Sequence, residues 1–223
     1  AVKVHVRDIE YVEGSGNKVS EMRQLDSFTG IEASGNVEVT LFQEGRHAVQ
    51  ITTDDNLIGL VVTEVKNNTL KIYYQQFGKT RDKIYLDVYL DELESLSVNA
   101  GARLKSSGVL SGMKLDHQVN AGAFSEIEID YSHLDLRVTS GAHATLSGQA
   151  DMAVISSNAG AQIKAGSLMV READVRGNSG SITNLHISDR FSARMSSGAQ
   201  LNYTGNPSEK DTSTSSGGSV NQR

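Results

Sequence analysis

Apolar and polar positions alternate along this 223-residue chain in short runs, and clusters of small residues interrupt the runs at a nearly constant interval. The clusters are "NAGA" at Gly101, "NAGA" at Gly122, "TSGA" at Gly141, "NAGA" at Gly160, "NSGS" at Gly180, "SSGA" at Gly198 and "SSGG" at Gly217, spaced 18 to 21 residues apart. Three, five and seven places before the glycines the residues are mostly apolar, as in Val119, Leu115, Val138, Leu136, Leu134, Ile155, Val175 and Phe191. Four and six places before, they are mostly polar, as in Asp116, Gln118, Asp135, Arg137, Asp174 and Arg176. An alternation with period two is the mark of a strand with one buried face. A repeat near 20 residues is the mark of a solenoid whose units stack.

The pattern predicts a single-stranded right-handed parallel β-helix of about 20 residues per coil. A left-handed hexapeptide helix needs a six-residue aliphatic grain that is absent, and a leucine-rich repeat needs its consensus in every unit, whereas only "LESLSV" (93–98) resembles it. In a stacked coil, equivalent residues lie about 4.8 Å apart. Asn99, Asn120, Thr139, Asn158 and Asn178 then form a file able to hydrogen-bond along the axis. The small residues after them are read as the corner, with glycine accepting a positive φ and bulk excluded by the copies above and below. Weaker punctuation at "SSG" (106–108), "LSG" (146–148), "KAG" (164–166) and "YTG" (203–205) predicts a second turn in each coil.

The first ninety residues carry longer alternating runs, among them "NVEVTLF" (36–42) and "KIYLDVYL" (83–90). Four regions follow: an N-terminal strand or cap segment over 1–22, wider and less regular coils over 23–90, regular coils over 91–205, and a polar C-terminal coil or cap over 206–223. The stretch "DNLIGLVVTEV" (55–65) reads as a short helix or one more strand, with strand favoured.

Composition narrows the function. With 21 Lys+Arg against 27 Asp+Glu the net charge is −6, which argues against a nucleic-acid partner. There is no cysteine, hence no disulfide framework or thiolate metal site, and no apolar run long enough for a transmembrane helix. One proline suits a chain whose backbone N–H groups are needed in ladders.

On "RQLDSFTGIEASGNVEVTLFQEG" (23–45), "VQITTDDNLIGLVVTEVKNNTLKI" (49–72), the serial corners and "TSSGGSV" (214–220), the chain resembles the auto-transporter adhesin head GIN domain family of Bacteroidetes-type bacteria. The resemblance implies a right-handed β-helix, export to the periplasm or cell surface with the signal removed, and a role in adhesion.

No catalytic constellation stands out. The acidic pairs Asp54–Asp55 and Asp87 with Asp91 and Glu92 read as turn and strand-end polarity, and the Asp116, Asp135, Asp174 file as solvated cross-coil partners of the arginines. Polysaccharide lyases and hydrolases share the β-helix, so Asp116, Asp135 and Arg137 are the best enzymatic candidates. Of the six histidines, His117 falls in an inward file and reads as a satisfied core residue. Tyr85, Asp87 and Tyr89 project from one face of one strand, with Tyr73 or Phe42 as candidate neighbours, and rings beside an acid can stack on a sugar. The expectation is therefore a non-enzymatic envelope adhesion or scaffold module. It has no cofactor or metal, its partner is an envelope protein or glycan, and self-association is allowed. A polysaccharide-active enzyme is the alternative.

Overall fold

The computed structural model describes residues 12–75 and 82–223. They form a nearly all-β solenoid of about 7 turns with about 19 residues per turn. Five long strands make its regular part: β9 (Arg103–Val119), β10 (Phe124–Val138), β11 (His143–Ser157), β12 (Gln162–Gly177) and β13 (Ile182–Met195). They pair in sequence order and in parallel. The register is the one the repeat predicts: Val119, Val138, Ser157, Gly177 and Met195 lie in one file, and Asp116, Asp135, Val154, Asp174 and Ser192 in another. The inward files join a single apolar core that runs from Phe28 to Tyr203.

Each corner is a tight four-residue turn. In the first, the Ala102 N–H donates to the Asn99 carbonyl at 3.1 Å. Both central residues have positive φ, Ala100 at 51° and Gly101 at 79°, and the same holds at all seven corners through Ser216 and Gly217. The non-glycine residue is strained by about 1–2 kcal/mol in that region. Its carbonyl is used in return: the Gly101 N–H donates to Ala121 O of the next corner, Gly122 to Ser140 O, Gly141 to Ala159 O, and so on to Gly198 and Ser216 O. One corner therefore holds the next, which fixes a conformation the residue type alone would avoid.

Crowding at the corner is placed differently from the expectation. A Cβ built on Gly141 meets nothing within 4 Å, so its backbone angle selects glycine there. The tight position is the following residue, since Ala102, Ala123, Ala142, Ala161 and Ala199 are all fully buried. The second turn is also more than a loop. At "LSG" the strand continues through a bulge, and a Cβ on Gly148 (φ 98°) would sit 2.0 Å from the Ile129 carbonyl oxygen of the coil beneath.

The earlier elements are β1 (Lys18–Gln24), β2 (Gly30–Ser34), β3 (Val37–Gln43), β4 (Ala48–Asp54), α1 (Asp55–Ile58), β5 (Val61–Lys66), β6 (Thr69–Tyr74), β7 (Ile84–Leu90) and β8 (Ser95–Asn99). Their stacking order departs from chain order. On one wall β3 lies between β7 and β9, and on the other β2 lies between β6 and β8, all in parallel. The later coil, β6 with β7, is thus outermost. Two antiparallel additions finish that end, β5 on β6, and β4 on β7 with β1 beyond it. Residues 55–65 divide into the one-turn α1 and β5, so the short helix and the strand read as alternatives are both present, one after the other. Leu57 of α1 is fully buried beside the main apolar core, and Ile58 packs partly buried against that core. Arg23 of β1 donates to Val61 O, Thr63 Oγ1 and Ile58 O and ties the two additions together.

The final coil consists of β14 (Gln200–Thr204), β15 (Glu209–Thr214) and β16 (Ser219–Gln222). In β15 the positions in register with the buried Phe191, Ala193 and Met195 are Lys210, Thr212 and Thr214.

Candidate functional site

Tyr85 and Asp87 lie on the outward face of β7 because Ile84, Leu86, Val88 and Leu90 take the core positions between and around them. The parallel register carries that face across five neighbouring strands. Tyr85, Glu38, Arg103, Phe124 and His143 form one outward file, and Asp87, Thr40, Lys105, Glu126 and Thr145 the next. Between these files runs a groove of about 340 Å³. It follows the solenoid axis, crossing β7, β3, β9, β10 and β11, and its length is about 19 Å from the strand spacing.

The groove has aromatic and charged parts. Tyr85 is 45% exposed, unusual for a ring of that size in a well-packed wall. Phe124 and His143 stack face to face, with ring centroids 4.9 Å apart and planes 3° from parallel. On its other side Phe124 carries the Arg103 guanidinium, 4.1 Å from the ring centroid. Glu38 pairs with Lys83 at 2.5 Å, and that pairing raises the Lys83 pKa.

Tyr89, predicted to join Tyr85 and Asp87, lies outside the groove. It stacks on Phe42 at 5.2 Å, and Arg46 covers its ring at 3.6 Å. Tyr73 is on the other wall, where its hydroxyl bonds Glu64 at 3.4 Å. Arg103, Phe124 and His143 were missed because they stand far from Tyr85 in the chain. The signal was available in the register itself, as outward positions one and three places after each corner alanine.

The acidic candidates have local duties. Asp54 is 2% exposed, bonded to Lys18 at 2.8 Å and to the Gly16 N–H at 3.2 Å. Asp55 accepts from Ser15 Oγ and Asn17 Nδ2. The Lys18 contact for Asp54, and the Ser15 and Asn17 bonds for Asp55, hold both carboxyls below the usual carboxylate range. Asp116 and Asp135 are neighbours in register, but Arg137 pairs with Asp135 two residues away on its own strand at 3.4 Å, and Arg176 with Asp174 likewise at 3.3 Å. These pairs are therefore within strands, where cross-coil pairs were expected. Among the described residues no cluster of three or more His, Asp or Glu is arranged to hold a metal.

His117 is fully buried. Its Nδ1–H donates to Leu96 O at 3.1 Å, which leaves Nε2 to accept from Ser125 Oγ at 2.8 Å. Burial lowers its pKa to about 4, so it is a neutral core residue at ordinary pH.

Residues 27–207 match the family described as "putative auto-transporter adhesin, head GIN domain". The chain belongs to this family. Solved structures repeat the fold along nearly the whole head GIN chain. A putative adhesin from Bacteroides fragilis superposes with a TM-score of 0.86 at 20% identity, covering 95% of this chain and 100% of its own. One from Parabacteroides merdae gives 0.75 at 17%, covering 96% and 99%. A putative lipid binding protein from Parabacteroides distasonis gives 0.67 at 19%, covering 96% and 100%. At these identities the likeness is one of fold. No curated protein matches the chain in sequence. Among the described residues no helix is long and apolar enough to cross a membrane.

Proposed function

We propose that this head GIN protein is a non-enzymatic adhesion module, exported to the cell envelope, that holds a glycan in the groove between Tyr85 and His143. The observation that carries the reading is the exposed Tyr85 ring beside Asp87 on a wall of five hydrogen-bonded strands. Sugars are bound by a ring face packed on an aromatic plane and hydroxyls donating to a carboxylate. Here both groups sit on rigid strands, so little ordering cost opposes binding. The family's adhesin description fits display of a fixed surface without turnover.

A glycan array with the wild type and a Tyr85→Ala/Asp87→Ala variant tests this. Binding that the double substitution abolishes supports the groove; binding that it leaves unchanged removes these residues from the site. Clear cleavage of any array glycan, lost in Asp135→Ala, would replace adhesion with enzymatic action on the opposite part of the coil.

A further inference from the structure

We infer that the groove is selective for acidic glycans, its ligand carrying a carboxylate on the sugar ring; this rests on the glycan reading above. Arg103 and Lys105 are consecutive outward residues of β9 and stand midway along the groove. Both are exposed, and neither forms an ion pair with any described residue. Lys83, Arg137, Arg171, Arg176 and Arg190 on the outer walls are paired with carboxylates, whereas Arg103 and Lys105, like Lys114, Lys164 and Arg194, are not; of these unpaired cations Arg103 and Lys105 are the two that line the groove.

The nearest acids leave the two cations free. Glu38, in register with Arg103, is engaged by Lys83, and Glu126, in register with Lys105, makes no ion pair with it. Arg103 is also held in place, since its guanidinium carbon sits over the Phe124 ring, 4.1 Å from the centroid. A planar fork fixed in this way suits a carboxylate, which it can bind through two parallel hydrogen bonds. Lys105 adds a second charge on the same side. Asp87 and Glu126 flank the pair along the axis and can accept sugar hydroxyls, and Tyr85 at one end and the Phe124–His143 stack towards the other offer ring faces. The spacing places a carboxylate at the middle of the groove and sugar rings on either side of it.

The test uses immobilised polygalacturonate, alginate and hyaluronate, each beside its carboxyl-reduced counterpart, in which every uronate is converted to the neutral sugar. Retention of an acidic polymer at least tenfold above its reduced counterpart is expected. That retention should weaken about tenfold in Arg103→Gln and again in Lys105→Gln, and should fall as salt is raised. Thermal unfolding of both variants should match the wild type, because both side chains are exposed. Equal retention of acidic and reduced polymers, still dependent on Tyr85, overturns the charge selectivity and leaves the glycan reading standing. Failure of all six polymers to bind, or retention on phosphatidylglycerol vesicles instead, overturns both.

Discussion

At the residue scale, the same amino acid is required for different physical reasons at different points of one coil. Gly141 is selected by its φ of 68° alone, because a Cβ there points into open space. Gly148 is selected by φ and by contact with the backbone beneath it. Gly141→Ala is expected to cost about 1 kcal/mol, and Gly148→Ala about 3 kcal/mol or more, since the backbone of two coils must move apart; urea unfolding of the two variants compares them. The seemingly lesser turn is thus the more demanding one. His117 makes a pH prediction. Its folded pKa of about 4 lies below the unfolded 6.5, so between these values the unfolded chain binds a proton that the native one refuses. Its contribution is complete above about pH 6.5 and declines as the pH falls towards 4, by an amount on the order of 3 kcal/mol. In His117→Leu this part of the pH slope should disappear from thermal melts, although the variant starts less stable because Ser125 loses its partner.

At the element scale, the corner file is a ladder in some coils and a set of local bonds in others. Asn120 donates to Asn99 Oδ1 at 3.0 Å and accepts from Thr139 Oγ1 at 2.7 Å, joining three coils. Asn158 instead turns back on its own corner, accepting from the Ala159 N–H, and Asn178 does both, accepting from the Ser179 N–H and from Ser196 Oγ of the next coil at 3.2 Å. A second ladder, unread in the sequence, links Asn184, Asn202 and Asn221 on the wall. Replacing Asn120 by alanine leaves two partners unpaired and should cost about 1–2 kcal/mol, whereas Asn158→Ala should cost about 1 kcal/mol or less; chemical denaturation measures both. The small residues inside β11 and β12 are compensated in the same local manner. Ser157 joins a buried hydroxyl cluster with Ser181 and Thr183, and the space that a side chain on Gly177 would fill is taken by Met195 Sδ.

At the scale of the whole molecule, the two ends of the solenoid solve the open-edge problem differently. Antiparallel strands and the Arg23 clamp finish the first end. At the other, the core files of the β15 wall end in Lys210, Thr212 and Thr214, which place polar groups where a further coil would need apolar ones, a recognised defence against edge pairing, while the β16 wall ends in the partly buried Val220. Changing all three to valine should produce concentration-dependent end-to-end association, measured by light scattering against the wild type, while the folded content by circular dichroism stays the same. The coil period, the in-and-out alternation from 91 to 205, the corners and the inward place of His117 were all legible in the chain, because each depends on neighbours a few residues away or on a repeat that copies its own register. Tyr85 and Asp87 were legible as an outward pair for the same reason. What packing alone decided is where separate stretches meet: that the coil of β6 and β7 lies outside that of β2 and β3, that Phe42 and Arg46 cover Tyr89, and that Arg103, Phe124 and His143 extend the face of Tyr85 into a groove. The contacts among β2, β3, β6, β7 and β9 join residues 39 to 65 apart, in an order in the sheet that does not follow their order in the chain, so no local pattern of side chains encodes them; Arg103, Phe124 and His143 follow the coil repeat, and only their junction with Tyr85 through β3 does not.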